Sequence, residues 1–190
     1  MDKVVLASRL PAAAMRIKAR RLQRDRLAAS SPRRIAEWAE ANFLVASEGE
    51  AKGVPIQLFS NQRAVLRFAL EVYPEKMGRF PSTVIYSTPK KSGKTTIAAM
   101  VGRWVAETRG RFEEIYCVAN DFDQVKNRAF AAASRSVELH PAYDPLRRRL
   151  PGEWQVLDRE MAHLPTGSKI KALASDYKGE AGAEPTITIW

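Results

Sequence analysis

Cysteine occurs once, at Cys117, and histidine twice, at His140 and His163. That scarcity excludes an intramolecular disulfide and leaves too few soft ligands for a Cys/His zinc site. A reducing, intracellular setting is expected. Long apolar runs are also missing, since no stretch approaches the roughly 20 residues that a membrane-spanning helix requires, and no membrane partner is expected. The first residues, MDKVVLASRLPAAAMRIKARRLQRDR, lack a continuous apolar core followed by a small-residue cleavage site. They read as mature chain rather than as a secretory signal, although an Arg-rich, acid-poor start also fits a mitochondrial presequence. No internal repeat is visible, and beyond the basic start there is no low-complexity tract.

What is present is an ordinary globular balance: 190 residues, 45% apolar and 27% charged, enough for one well-buried domain. The net charge of +10 is unevenly placed. Residues 1–34 hold ten Lys and Arg against Asp2 and Asp25, which is +8 of the total. Such a segment is drawn to nucleic-acid phosphates by counterion release, largely without regard to base sequence, and an acidic protein partner or a solvated basic helix is the alternative. The expected organisation is a basic helical N-terminal segment, 1–48, followed by a nucleotide-binding domain, 49–190.

Ser31-Pro32 predicts a helix start, with Ile35, Trp38, Ala39 and Phe43 recurring at helical spacing to about Val45. Residues 47–55 read as a loop. A second helix is predicted from Ser60 to Tyr73, its apolar face made by Val65, Leu66, Phe68, Ala69 and Val72, with Pro74 ending it. From Pro81 the pattern becomes short β-branched runs alternating with helices, which predicts a parallel sheet flanked by helices. Thr83–Ser87 (TVIYS) is a candidate buried strand, followed by a turn and a helix that Gly110 closes. Glu114–Ala119 is the next strand, Asp121 a cap for a helix to about Leu139, and His140-Pro141 a break. Extended runs follow at 154–157, 160–164 and 168–174, with a turn at Thr166-Gly167, and TITIW at 186–190 is the last strand.

The strongest chemical signal is Thr88-Pro89-Lys90-Lys91-Ser92-Gly93-Lys94-Thr95, between a predicted strand and a predicted helix. It matches the last three positions of the phosphate-loop pattern G-x-x-x-x-G-K-[ST] and carries Thr88 in place of the first glycine. Gly93 lets the backbone curl so that successive N–H groups face a phosphate, and the positive end of the following helix favours the anion. Lys94 is placed to reach the β and γ phosphates of ATP and Thr95 to help hold Mg²⁺, while Lys90 and Lys91 add charge at the crown. Pro89, Ser92 and Thr96 complete the expected ATP contacts. Gln62, on the helix upstream, is a candidate for pairing with the adenine edge, as such a glutamine does in several phosphate-loop motors; a surface polar residue is the alternative.

Taken in order, three stretches resemble the large terminase subunit of tailed bacteriophages. PKKSGKT (89–95) is similar to that family's variant phosphate loop, YCVANDFDQVKNRAF (116–130) to its second strand and helix, and KALASDYKGEAGAEPTITIW (171–190) to the approach to its acidic strand. The resemblance implies a phosphate-loop NTPase fold and an ATPase that drives double-stranded DNA into a capsid in the cytoplasm of an infected or lysogenic bacterial host. It also implies a ring homo-oligomer partnered by the small terminase subunit and the portal protein. Gln62 takes the adenine-reading role, Lys94 and Thr95 the phosphate and magnesium roles, and Lys90 that of the loop's catalytic basic residue. The family's Asp-Glu pair is expected immediately after Trp190, so the chain reads as truncated. The nuclease domain is not represented, and these residues alone are expected to bind nucleotide weakly without turning it over.

Other residues read as structural. Arg147, Arg148 and Arg149 fit a solvated basic loop, with a finger acting across a subunit interface as the alternative. Glu180 and Glu184 read as surface charges, Trp38, Trp104 and Trp154 as core, Cys117 as packing, and His140 and His163 as lacking partners. Two other functions stay open: a different phosphate-loop enzyme, helicase-like or kinase-like, and a basic nucleic-acid-binding module whose SGKT turn is incidental.

Overall fold

Residues 34–46, 52–119, 128–174 and 185–189 are described in a computed structural model. The Ser31-Pro32 helix start, Asp121, Glu180, Glu184 and Trp190 lie outside the described residues. Helix α1 (Ile35–Asn42) buries Ile35, Trp38 and Ala39, the face its spacing predicts. It stops three residues short of Val45 because Phe43 turns extended and Leu44 bridges Pro55. Its first N–H is held from a distance, Ile35 N donating to Glu71 Oε1 at 3.0 Å.

Helix α2 begins at Ser60–Arg67, widens into a π-turn at Phe68–Val72 and resumes at Tyr73–Met77. Pro74 therefore does not end the helix. The wide turn lets Tyr73 N–H reach the Phe68 carbonyl five residues back, and Pro74 then occupies the first turn of a renewed helix, where its missing N–H costs nothing. Gly78, left-handed at φ +68°, closes it.

Helix α3 (Lys94–Thr108) leads to strand β1 (Glu114–Ala119), and helix α4 (Ala129–Glu138) precedes β2 (Arg149–Leu150), β3 (Trp154–Val156), β4 (Glu160–His163), β5 (Ser168–Ala174) and β6 (Ile187–Ile189). The sheet order is β2-β3-β4-β5-β1-β6. The fold is thus mixed α/β, but the expected parallel sheet is corrected to a mixed one. Only β1 runs parallel to its neighbours β5 and β6, while the three remaining pairings are antiparallel. Connection length is the reason: residues 151–153, 157–159 and 164–167 make tight turns, whereas a parallel crossover needs a dozen residues or more.

The candidate strand TVIYS is a second correction. Residues 83–87 are in no strand, and Val84 and Ile85 are 51% and 88% exposed. An isolated extended run needs a neighbouring edge to satisfy its backbone, and this one lies along α2 instead of along a strand. Pro81–Ile85 faces Ala64, Val65, Phe68, Ala69 and Tyr73 across an open groove of about 610 Å³.

One face of the sheet, carrying Ile115, Cys117, Ile170, Ala172, Met161, Trp154 and Val156, joins the core with α1, α3 and α4. Trp38, Trp104 and Trp154 are 3%, 0% and 0% exposed, as expected of core residues. Cys117 is equally buried, and burial pushes its thiol up to about 12, which fits packing and not nucleophilic use. The opposite face is polar: Lys171 pairs with Glu114 at 3.5 Å and Lys169 with Glu160 at 3.0 Å. Among the described residues, an ion pair lies inside the core. Arg103 Nη2 meets Glu107 Oε1 at 2.7 Å, the Trp38 and Trp154 indoles donate to the same carboxylate, and Ser136 accepts from Arg103 at 2.8 Å. The Arg103 guanidinium also sits within 5.7 Å of the Trp38, Phe43 and Trp154 rings, so α1, α3, α4 and β3 converge on it.

Candidate phosphate-binding loop

Two left-handed residues shape the loop between Thr88 and α3. Gly93, at φ +79°, is the N-cap of α3, and Lys91 takes φ +66°, a conformation that is strained for a residue with a side chain. Side-chain hydrogen bonds then close the turn on itself. Ser92 Oγ donates to the Pro89 carbonyl at 2.8 Å and receives the Thr88 hydroxyl, while Ile97 N donates to the Gly93 carbonyl at 2.9 Å as α3 begins.

Lys94, the first residue of α3, curls back over this turn. Its Nζ donates to the Thr88 carbonyl at 2.5 Å and to the Pro89 carbonyl at 2.8 Å. The ammonium is therefore held above the loop by carbonyl dipoles that a phosphate's oxygens would replace as stronger, charged acceptors. Lys90, Lys91, Lys94 and Thr95 are exposed, and Ser92 and Thr96 partly so. Three lysine charges, a left-handed glycine and the amino end of a fifteen-residue helix thus converge on one turn. That set fits a polyphosphate.

Gln62 comes to the same loop. It is 7% exposed, on the first turn of α2, with Oε1 accepting the Phe59 N–H at 2.9 Å and Nε2 donating to the Ser92 carbonyl at 3.3 Å. A Cβ built on Gly93 would stand 3.8 Å from Gln62 Nε2, so the amide lies directly against the loop's hinge residue. For Mg²⁺, Thr95 offers a hydroxyl, and among the described residues no group of three or more His, Cys, Asp or Glu gathers to hold a metal.

The remaining candidates lie elsewhere. Arg147 and Arg148 are tied to their own meander, at 3.7 Å from Asp144 and 2.8 Å from Asp158. His163 corrects the expectation of a residue without partners. The Thr166 hydroxyl donates to the Ala106 carbonyl of α3 at 2.8 Å, which leaves it to accept from His163 Nδ1 at 2.9 Å. Burial lowers the pKa of His163, and Arg103 adds to the effect, while Glu107 and a backbone contact at Ala106 oppose it. The Arg103–Glu107 pair escaped sequence reading, although its i,i+4 spacing inside an apolar helix was a visible signal. Among the described residues no helix is long and apolar enough to cross a membrane. A scan against protein-family models finds no match to the sequence, and a search of curated proteins finds none either.

Proposed function

We propose that this chain is the ATP-binding portion of a DNA-packaging motor of the large-terminase type, which in the complete protein couples ATP hydrolysis to translocation of duplex DNA. The observation that carries the proposal is the loop: Lys94 recurved over the Thr88 and Pro89 carbonyls, beside a left-handed Gly93 at the start of α3. On ATP binding, the Lys94 ammonium leaves those carbonyls for the β and γ phosphates. The amides of the first turn of α3 would take the remaining oxygens, and the Thr95 hydroxyl would serve as a ligand for the accompanying Mg²⁺. Lys90 and Lys91 raise the local positive potential and favour the triphosphate over the diphosphate. The basic N-terminal segment supplies contact with DNA phosphates, without base preference, as a translocating motor requires.

Titration of a fluorescent ATP analogue with Mg²⁺ tests this. A charged hydrogen bond to phosphate contributes about 1.5–3 kcal/mol, so Lys94→Ala is expected to weaken binding about tenfold to a hundredfold. Equal binding by the wild type and Lys94→Ala would remove the loop from the site. Stimulation of hydrolysis by duplex DNA, in a chain that carries the acidic pair, separates a translocase from a phosphotransferase.

A further inference from the structure

We propose that Gln62 is the latch that fixes the phosphate loop to α2, and that the site it shapes takes nucleoside triphosphates with little regard to the base. This rests on the nucleotide-binding reading above and replaces the adenine-reading role given to Gln62 on resemblance. Both ends of its amide are already engaged. Oε1 caps α2 through the Phe59 N–H at 2.9 Å, and Nε2 grips the Ser92 carbonyl at 3.3 Å.

At 7% exposure the amide lies beneath the loop, against Gly93, with almost no surface open to a purine. Reading adenine by paired hydrogen bonds requires Oε1 and Nε2 together. Turning both to a base would release the α2 cap and the loop carbonyl at once and leave buried partners unsatisfied. The Ser92 carbonyl is also the position where a latch has most effect. It immediately precedes Gly93, whose left-handed turn aims the following amides and starts the helix that carries Lys94. Gln62 is therefore a positioning residue: it acts on phosphates through the backbone that binds them. Base identity then has no dedicated reader in the loop, and specificity rests on the triphosphate.

Three measurements on the 190-residue chain test the proposal: affinities for fluorescent ATP and GTP analogues, competition by inorganic tripolyphosphate, and amide hydrogen exchange across residues 88–97. The wild type is expected to bind both analogues within about threefold of each other, with tripolyphosphate competing for both. Gln62→Ala should weaken both about equally and speed exchange at Ile97, whose N–H donates to the Gly93 carbonyl where the latched loop enters α3. Gln62→Glu should speed it too, because a carboxylate still accepts the Phe59 N–H but cannot donate to Ser92. A preference for ATP of tenfold or more that Gln62→Ala abolishes would overturn the proposal in favour of adenine reading. Unchanged exchange in both variants would also overturn it. Absence of all nucleotide and tripolyphosphate binding would overturn base-tolerant recognition together with the functional reading, and faster exchange in the variants would show that the latch itself survives.

Discussion

His163 shows how a single side chain can tie stability to pH. It is 6% exposed, it meets the Trp154 ring at 5.0 Å between centroids, and the charges bearing on it are Glu107 and Arg103 of α3. Burial, the largest influence, lowers its pKa from the ordinary 6.5, so the folded state prefers the neutral ring. Above 6.5 both states hold it neutral and its contribution to stability is complete. As pH falls through that value the unfolded chain takes up a proton that the folded chain resists, and stability declines until pH drops below the lowered folded pKa. The loss can reach about 1.4 kcal/mol per pH unit across that window. Urea unfolding at about pH 7.5 and pH 5.5 should show a fall in the midpoint for the wild type and a smaller one for His163→Gln, which keeps a donor for Thr166. Equal slopes in the two proteins would mean that His163 is not the group responsible. This network could not be assembled from sequence, because His163, Thr166, Ser168 and Ala106 meet only once the β4–β5 turn lies beside α3, whereas the buried Arg103–Glu107 pair left a visible i,i+4 signal.

At the level of elements, the chain announced those whose signals are local. Glu114–Ala119 forms a strand with the predicted bounds, α3 follows the SGK turn, and the three later extended runs are β3, β4 and β5. Signals that depend on a partner failed. TVIYS has strand composition but lies beside a helix, and Pro74 has the sign of a stop but is absorbed by a π-turn. The candidate site was legible in SGKT because helix start, glycine and lysine are contiguous, whereas the engagement of Gln62 depends on a contact thirty residues away.

The same distinction governs how α3 is seated. Gly102 lets the helix lie close on the sheet: a Cβ there would stand 3.2 Å from Ile189 Cδ1 and 3.4 Å from Ile115 Cγ2. In Gly102→Ala, an intrinsic helix gain of about 0.8–1 kcal/mol opposes that contact, and Ile189 sits on an edge strand able to shift. The alanine variant should therefore stay within about 1 kcal/mol of wild type. Gly102→Val overpacks the same gap and should lose about 1–3 kcal/mol in urea unfolding. It should also weaken binding of the ATP analogue, because α3 carries the loop at its amino end. A valine variant as stable as the alanine one would show that α3 has room to spare at this point.

For the molecule as a whole, the distribution of charge fits the two roles proposed for it. Residues 1–34 carry +8 of the +10, so the rest of the chain, including the lysine-crowned loop, sums to only +2. A loop with local positive charge inside a nearly neutral body suits a compact anion such as a triphosphate, whose recognition is short-ranged. A cationic tract suits a long polyanion, where each neutralised phosphate releases counterions and affinity falls with salt by a logarithmic slope of about 0.9 per contact. The two should thus respond differently to the same perturbation. Replacing the ten basic residues of 1–34 by glutamine should flatten the salt dependence of duplex-DNA binding by several units of that slope while leaving the affinity for the ATP analogue within about twofold. Lys94→Ala should do the reverse, lowering nucleotide affinity with the DNA slope unchanged. If the glutamine variant kept the full slope, DNA would have to contact residues after 34. The polar sheet face would then be a poor candidate, since Lys169 and Lys171 there are already paired with Glu160 and Glu114, and one outcome is that the exposed lysines of the loop serve both anions. Competition between ATP and duplex DNA for one site would follow at once. Its absence, together with a flattened slope, is what a motor that holds its fuel and its track on separate surfaces requires.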